Sequence, residues 1–238
     1  MRYFRPLVPG RLIRRWMRFL SEVELEDGRI VRAHCPNPGA MTGLKTPGTR
    51  VWLEPNDDPR KKLDWGWRLV ELPGAWVSVD TSEPNRLVAE ALAEGTIPGL
   101  APYETFRAEV PYGREGSRCD FRLDGPDGPV WLEVKGVSLS RATGLAEFPD
   151  TVTDRGARHL REMAALAREG AACVTLYVIQ RTDCDRLAIA ADIDPGYAAA
   201  FDDARRAGVR MRAMAAGIGP EGSRLVRPVR LEIPGESA

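Results

Sequence analysis

The chain has 238 residues, 43% of them hydrophobic, which is enough to build folded cores and excludes a disordered protein. Lys and Arg number 34, and so do Asp and Glu, so the formal net charge is zero and any site for a polyanion has to be local. The four cysteines show no CxxC spacing and no run of eighteen apolar residues occurs, so we expect a protein of the reducing cytoplasm without a membrane partner.

The first eighty residues predict a small β-barrel. Segments rich in strand-forming residues are separated by the turn sequences EDG, PNPGAMTG and PNDDPRK. These segments lie at residues 11–25, 29–35, 50–55, 67–72 and 76–80. Short strands at this spacing are typical of a barrel, and we assign residues 1–80 to a first domain.

The composition changes after residue 80, where a helix is predicted. Thr81 or Ser82 is placed to cap its start, and Gly95 is placed to end it. One face carries an apolar stripe made of Leu87, Val88, Ala91 and Leu92. We place the domain boundary here, so that residues 81–238 form the second domain.

Strands and helices alternate in the second domain. Three strands are predicted, at residues 107–113, 117–125 and 129–139. The turn GPDGP joins the last two as an antiparallel hairpin. A helix at 154–170, an apolar strand at 172–181, a helix capped by Asp194 and a final strand follow. This order predicts an α/β layer sandwich around a mixed sheet.

The predicted hairpin carries two acids and a lysine. Asp120 lies on its first strand, and Glu133 and Lys135 lie on its second, where residues two apart share a face. Two carboxylates can hold a divalent cation that activates water for phosphodiester hydrolysis, and an ammonium can stabilise the developing charge. The pattern predicts Asp120 and Glu133 as metal ligands and Lys135 as their catalytic partner.

Simpler interpretations of these three residues stay open. Glu133 and Lys135 would form an exposed salt bridge if their strand lay at a sheet edge. Asp120 lies between two arginines in SRCDFRL and would pair with Arg118 or Arg122. Only the combination of all three charged side chains favours a catalytic site.

Two further residues are candidates for the same site. Glu90, at the margin of the apolar helix stripe, is a candidate additional acid, although a solvated pair with Arg86 explains it equally well. Gln180 ends the apolar strand and is a candidate to orient the lysine or a phosphate. Strand termination alone also accounts for Gln180.

The first twenty residues contain six arginines and no acidic residue, a local charge of +6 on a neutral chain. Arginines interleaved with aromatic residues are typical of a surface that binds nucleic-acid phosphates and stacks on bases. The predicted contacts in this segment are Arg11, Arg14, Arg15, Trp16 and Arg18. Arginines that flank a strand can instead serve only to keep it soluble.

Two other segments are candidates for contacts with nucleic acid. In HCPNPGAMTG, His34 and Asn37 belong to a predicted binding loop, because His34 and Cys35 would point to opposite faces of a strand and so would not form a catalytic pair. In TVTDRGARHLREM, Arg155 and His159 share a helix face near the helix start, which predicts a phosphate site. A solvated face with pairs to Glu162 is the alternative.

Several stretches resemble, in order and spacing, the sugar fermentation stimulation protein family, SfsA. They include RFLSEVELEDGRIVRAHCPNPGAMTGL, WVSVDTSEPNRLVAEAL, WLEVKGVSL and AEFPDTVTDRGARHLREM. The resemblance implies an N-terminal OB-fold-like β-barrel and a C-terminal PD-(D/E)XK nuclease-like α/β domain with a mixed sheet. The family's nuclease signature falls on Asp120, Glu133 and Lys135, and Glu90 resembles the helical acid of many such nucleases. Cys119 stands where that signature has proline.

The resemblance also implies a DNA partner bound without sequence specificity. The first hypothesis is a DNA-binding, metal-dependent nuclease that uses Mg²⁺ or Mn²⁺ at Asp120 and Glu133. The alternative is a non-catalytic DNA-binding regulator of sugar (maltose) metabolism, although two mutually repelling carboxylates bring little advantage to such a protein. An RNA-processing enzyme is a third hypothesis, which cleavage of matched RNA and DNA would distinguish.

Overall fold

The N-terminal part of the chain forms a closed β-barrel. The computed structural model describes residues 1–100, 103–113 and 116–233. The barrel strands are β1 Val8–Trp16, β2 Leu20–Leu25, β3 Ile30–His34, β4 Arg50–Pro55, β5 Trp65–Leu72 and β6 Ala75–Ser78. They follow the order β3-β2-β1-β4-β5-β6, and a parallel pairing of His34 with Gly66 joins β3 to β5. This pairing closes the sheet, so the predicted barrel is confirmed.

The segment at residues 11–25 is a hairpin of two strands, which differs from the single strand segment we predicted. The chain turns at Met17 and Arg18, whose φ angles are 48° and 62°. A tight hairpin turn with two left-handed residues normally carries Asn-Gly or a similar pair. The sequence gives no such signal here, so the turn was not recognisable. This hairpin turn places Met17 and Arg18 on an exposed tip of the barrel.

The second domain combines three helices with the remaining described strands. In chain order these elements are α1 Glu83–Ala93, β7 Thr105–Tyr112, β8 Ser117–Asp124, β9 Val130–Val137, β10 Leu139–Ala142, β11 Gly144–Phe148, α2 Asp154–Arg168, β12 Ala172–Ile179, β13 Cys184–Ile189, α3 Pro195–Arg206, β14 Arg210–Gly219, β15 Gly222–Pro228 and β16 Arg230–Glu232. The main sheet has the order β15-β14-β12-β9-β8-β7. Strands β9, β12 and β14 run parallel, whereas β7, β8 and β9 run antiparallel, so the predicted mixed sheet is confirmed.

Helices cover both faces of the main sheet. Alternate residues of β12 explain this arrangement, because Val174, Leu176 and Val178 pack with α1, whereas Cys173 and Tyr177 pack with α2 and α3. All five side chains are buried. A strand that is apolar on both faces thus lies at the centre of an α/β sandwich, as predicted.

A second sheet of short strands was not predicted. Its order is β10-β11-β13-β16, with β11 parallel to β13. Polar and charged residues interrupt these strands, so they show neither clear alternation nor an apolar run. Contacts distant in sequence stabilise them, including the pair of Arg141 Nη2 with Asp192 Oδ1 at 2.9 Å and that of Arg186 Nη1 with Glu232 Oε1 at 3.0 Å.

Direct hydrogen bonds join the barrel to the second domain. The predicted boundary at residue 80 falls between β6 and α1. Ser78 N–H donates to the Gln180 carbonyl at 2.9 Å, and Thr182 N–H donates to the Trp76 carbonyl at 3.0 Å. The barrel edge is therefore held against the end of β12. Within the described ranges, no helix is long and apolar enough to cross a bilayer.

Candidate functional site

The acid pair lies where β8 and β9 run side by side. Asp120 on β8 accepts a hydrogen bond from the Val134 N–H of β9 at 2.7 Å. Its other oxygen accepts from Asn85 Nδ2, on the first turns of α1, at 2.6 Å. Glu133 is the neighbouring acid on β9, and its negative charge acts on Asp120. The short turn between the two strands therefore brings both predicted metal ligands together.

Glu133 lies in the interior of the sheet. Strand β9 is flanked by β8 and β12, and the Glu133 side chain is only 3% exposed, which rules out an exposed salt bridge on an edge strand. Lys135 Nζ donates to Glu133 Oε1 at 2.7 Å, and His159 Nδ1 hydrogen-bonds to the same oxygen. Glu133 Oε2 is buried and has no hydrogen-bond partner among the described residues.

The two carboxylates differ in their affinity for protons. Burial and the charge of Glu133 raise the pKa of Asp120 above its usual value, despite the hydrogen bonds from Val134 and Asn85. Burial also acts to raise the pKa of Glu133, but the Lys135 ammonium and the His159 hydrogen bond outweigh it and lower that pKa. Lys135 therefore stabilises the charge of Glu133 more than that of Asp120.

Gln180 lies close to the end of the acid-bearing strand. Its Nε2 donates to the Asp80 main-chain carbonyl at 2.9 Å, and its Oε1 approaches Gly136, the residue after Lys135. A Cβ at Gly136 would collide with this oxygen, which explains the glycine at this position. Gln180 is buried, so in this structure it packs against the backbone beside the lysine.

A groove of about 720 Å³ runs between the barrel and the second domain next to this strand end. Arg15, Arg18 and Lys45 line it from the barrel. Gly136 and Gln180 line it from the second domain, together with residues of the segment that leads into α2. The groove thus brings basic side chains of the barrel to the end of the strand that carries Glu133 and Lys135.

The predicted binding loop forms one wall of this groove. Arg15 Nη2 donates to the main-chain carbonyls of Asn37 and Gly39 at 2.6 and 3.3 Å, which fixes the loop to β1. Asn37 is buried, and its side-chain oxygen accepts from the Gly39 N–H at 2.8 Å. Three predicted contacts, Arg15, Arg18 and Asn37, therefore lie together, although Asn37 shapes the loop rather than presenting a free side chain.

Other predicted nucleic-acid contacts lie outside the groove. Arg14 pairs with Glu22 at 2.9 Å and lies over the Trp16 ring at 4.7 Å, so its charge is partly neutralised. Arg11 Nη1 donates to the Gly48 carbonyl at 3.1 Å. The +6 charge of the first twenty residues is therefore divided among several surfaces, and only part of it faces the groove.

The structure corrects the prediction for the start of α2. His159 is buried against Glu133, so it does not offer a surface contact to phosphate. Glu162 is also buried, and the alternative of a solvated helix face is wrong as well. Arg155 remains exposed, and its Nε donates to His159 Nε2 at 3.5 Å. Glu133 and His159 are 26 positions apart, which explains why sequence spacing did not reveal their contact.

The structure also shows which residue links α1 to the acid pair. The predicted residue, Glu90, instead accepts a hydrogen bond from the Met1 ammonium at 2.6 Å, and Arg86 pairs with Asp80. Asn85 makes the contact with Asp120, 35 residues away in sequence. The only feature of the sequence that pointed to this contact was the position of Asn85 near the start of a helix that precedes the strands of Asp120 and Glu133.

The predicted DNA contact at Arg18 can be tested directly: if the groove binds DNA, Arg18→Ala should weaken that binding whatever the DNA sequence. Arg18 is exposed in the groove, and its guanidinium has no partner among the described residues, so it is free to neutralise one phosphate. Loss of one such contact should lower the slope of log Kd against log salt by about 1. Fluorescence anisotropy at several salt concentrations measures this slope. Arg29→Ala is the control, because Arg29 is exposed beside Asp27 and away from the groove; equal slopes for both variants would contradict the assignment.

Comparison with known proteins places this architecture in a family. Residues 13–79 match the family model described as the SfsA N-terminal OB domain, and residues 82–222 match the sugar fermentation stimulation protein RE domain. A sugar fermentation stimulation protein homolog of Jannaschia sp. (strain CCS1) is 56% identical over 98% of this chain and 97% of its own length. The homolog of Ruegeria pomeroyi is 57% identical over 93% of this chain and 97% of its own.

A solved structure shows the same fold. SfsA of Pyrococcus furiosus, determined in complex with Ca²⁺, superposes with a TM-score of 0.88 and 25% identity and covers 98% of both chains. The barrel and the mixed sheet are thus shared along nearly the whole chain. Both domain matches and the full-length relatives agree, and the chain belongs to the sugar fermentation stimulation protein family.

Proposed function

We propose that this protein is a divalent-metal-dependent nuclease that binds DNA and hydrolyses its phosphodiester bonds. The observation that carries the proposal is the pair Asp120 and Glu133, with one buried Glu133 oxygen left without a hydrogen-bond partner among the described residues. Burying such an oxygen is costly unless a cation or a donor satisfies it. The groove with Arg15 and Arg18 beside the same strand end supports a polyanionic substrate.

The donor set fits Mg²⁺ or Mn²⁺. Asp120 and Glu133 supply hard carboxylate oxygens. They are only two ligands, and the described residues contain no group of three or more His, Cys, Asp or Glu side chains placed to hold a metal. Mg²⁺ usually takes one or two carboxylates and completes its shell with water and phosphate oxygens, so two acids suffice. The Ca²⁺ in SfsA of Pyrococcus furiosus supports a divalent cation here. The ion would lower the pKa of a bound water and neutralise charge on the phosphate.

Lys135 supplies a fixed positive charge at the site. Its ammonium lies 2.7 Å from Glu133 Oε1 and is 12% exposed, so it is held in place and poorly screened by water. A preorganised cation stabilises the charge that develops on a phosphate in the transition state. His159 donates to the same carboxylate oxygen, so both hydrogen bonds fall on Oε1 and the buried Oε2 has no hydrogen-bond partner among the described residues. Asn85 orients Asp120 in a similar way.

Backbone recognition accounts best for the proposed DNA contacts. The groove offers Arg15, Arg18 and Lys45, side chains that neutralise phosphates without reading sequence. The proposed partner is therefore DNA bound without sequence specificity. All four cysteines are unpaired and buried, which fits a reducing compartment, and we propose a cytoplasmic location on that ground.

Metal dependence tests this function directly. We expect labelled single-stranded or duplex DNA to be cut in the presence of Mg²⁺ or Mn²⁺, not in EDTA, and again after the metal is restored. Matched RNA substrates test the RNA-processing hypothesis in the same experiment. Calorimetry with Ca²⁺ measures binding of the ion without turnover. Cutting that persists in EDTA would contradict the metal role, whereas salt-sensitive binding without cutting in any metal would favour the non-catalytic regulator of sugar metabolism.

A further inference from the structure

A second cavity, of about 760 Å³, opens on the barrel beside the seam that joins β3 to β5. Its volume lies in the range of sites for small ligands. Three aromatic side chains, Phe4, His34 and Trp65, line it. Lys61 and Lys62 also line it, and neither forms a salt bridge with the described residues. The cavity therefore combines ring surfaces with unpaired positive charge.

The buried acidic residue that lines this cavity, Glu54, already has hydrogen-bond partners for both of its oxygens. Glu54 is buried, and its Oε1 accepts the N–H groups of Phe4 and Arg5 at 2.6 and 3.1 Å. Its Oε2 accepts from Arg68 Nε at 2.9 Å. The other acid that lines the cavity, Asp57, is exposed and pairs with Arg5. Because both carboxylates are paired with arginines, Lys61 and Lys62 set the charge that a ligand meets, which favours an anionic group.

His34 presents an uncharged ring at neutral pH. Partial burial, and then the nearby Arg68 charge, lower the pKa of His34 below its usual value. The ring is stacked on Phe19, with ring planes 10° apart. A neutral aromatic ring next to cations is suited to stacking on a nucleobase whose phosphates contact the lysines.

The cavity lies close to the interdomain groove. His34 lines the cavity and Asn37 lines the groove, and the two residues are only three positions apart in the chain. An extended chain covers at most about 11 Å over three residues, roughly the rise of three stacked nucleotides. A short segment of one nucleic-acid strand is therefore long enough to reach from the cavity to the groove.

We infer that this cavity binds an unpaired nucleobase of a single nucleic-acid strand whose backbone continues into the groove. The inference rests on the proposed function, since the strand in the groove is the nuclease substrate. Bases of a duplex are stacked and paired, and their entry would require flipping at an energetic cost. The cavity therefore selects single-stranded substrate, which the groove alone does not.

Binding of four oligonucleotides in EDTA tests the inference without any cleavage. They are single-stranded DNA, single-stranded RNA, the blunt DNA duplex, and a single DNA strand that carries abasic sites throughout. We expect the wild type to bind a base-containing strand at least about 5-fold more tightly than the abasic strand, which is the effect of losing one stacked base. His34→Ala should remove that difference and leave abasic binding unchanged.

Ile30→Ala is the matched control, because Ile30 is also exposed on the same strand but does not line the cavity. It should bind as the wild type does, and Phe4→Ala, at a fully exposed ring, should repeat the loss seen for His34→Ala. Comparison of the affinities for single-stranded DNA and single-stranded RNA shows which of the two nucleic acids the protein binds more tightly.

Two results would overturn the inference: tighter binding of duplex than of either single strand, or the same preference for bases in His34→Ala as in the wild type. Because every arm contains EDTA, a protein that never cuts DNA can still show the base-dependent difference. Conversely, if the protein cuts DNA in a metal-dependent way but His34→Ala does not change its preference for base-containing over abasic strands, the base site is refuted and the proposed nuclease function is supported.

Discussion

Glu133→Gln is expected to lower metal-dependent DNA cleavage by at least about 10³-fold, with DNA binding in EDTA unchanged. The glutamine carbonyl oxygen can still accept from Lys135 and His159, so the hydrogen bonds at Oε1 are retained. Its amide nitrogen would replace Oε2, the buried oxygen without a partner among the described residues. An NH₂ group donates and does not ligate a metal, so the substitution removes a proposed metal ligand with little change in shape. Single-turnover cleavage rates measure the loss.

Asp124→Asn is the matched control for this experiment. Asp124 lies on β8, four residues after Asp120 and on the same face. It forms an ion pair with Arg122 at a distance of 2.8 Å, and this ion pair lies away from Asp120 and Glu133. The cleavage rate and the Ca²⁺ affinity of the Asp124→Asn variant should equal those of the wild type. Glu133→Gln should lose Ca²⁺ affinity in calorimetry as well as cleavage. Wild-type cleavage by Glu133→Gln would show that this carboxylate is not a metal ligand.

Asp80→Ala is expected to lower the free energy of unfolding by about 3 kcal/mol, because it breaks a buried ionic network, removes this partner of Arg86 and leaves Arg68 with Glu54 alone. The Asp80 side chain is 2% exposed and lies between the barrel and α1. It pairs with Arg68 of the barrel at 2.6 Å and with Arg86 of the helix at 2.7 Å, and it accepts from the Ser82 hydroxyl at 2.7 Å. Urea unfolding of the wild type and the variant measures the difference.

The pH dependence of this stabilisation provides a second measurement. Burial acts to raise the pKa of Asp80, but the charges of Arg68 and Arg86 and the Ser82 hydrogen bonds outweigh it, so the pKa lies below its usual value. A depressed pKa in the folded state means that the stabilisation is complete above about pH 4 and declines as the pH falls further. Asp27→Asn, at an exposed pair with Arg29, should leave the unfolding midpoint unchanged. An equal effect of both substitutions would show that the network does not stabilise the domain junction.

The sequence alone determined the features that depend on neighbouring residues. The α1 stripe, with Leu87 and Leu92 buried, and the Asp194 cap of α3 follow local periodicity and capping rules, and both are present. The hairpin that carries Asp120 and Glu133 has a short turn, so their proximity also follows from nearby sequence. Resemblance to a family added the barrel type and the nuclease-like fold.

Only the tertiary structure decided which distant side chains complete the site. Asn85 reaches Asp120, and His159 reaches Glu133, across 35 and 26 residues of chain. Such contacts depend on how helices pack on the sheet, and hydrophobic periodicity shows which helix face is buried but not which polar residue it brings to a given strand. The position of Arg18 in the groove depends likewise on the turn at Met17 and on the barrel being held against β12. Long-range packing therefore decided the groove and the partners of the acids, because no local pattern encodes them.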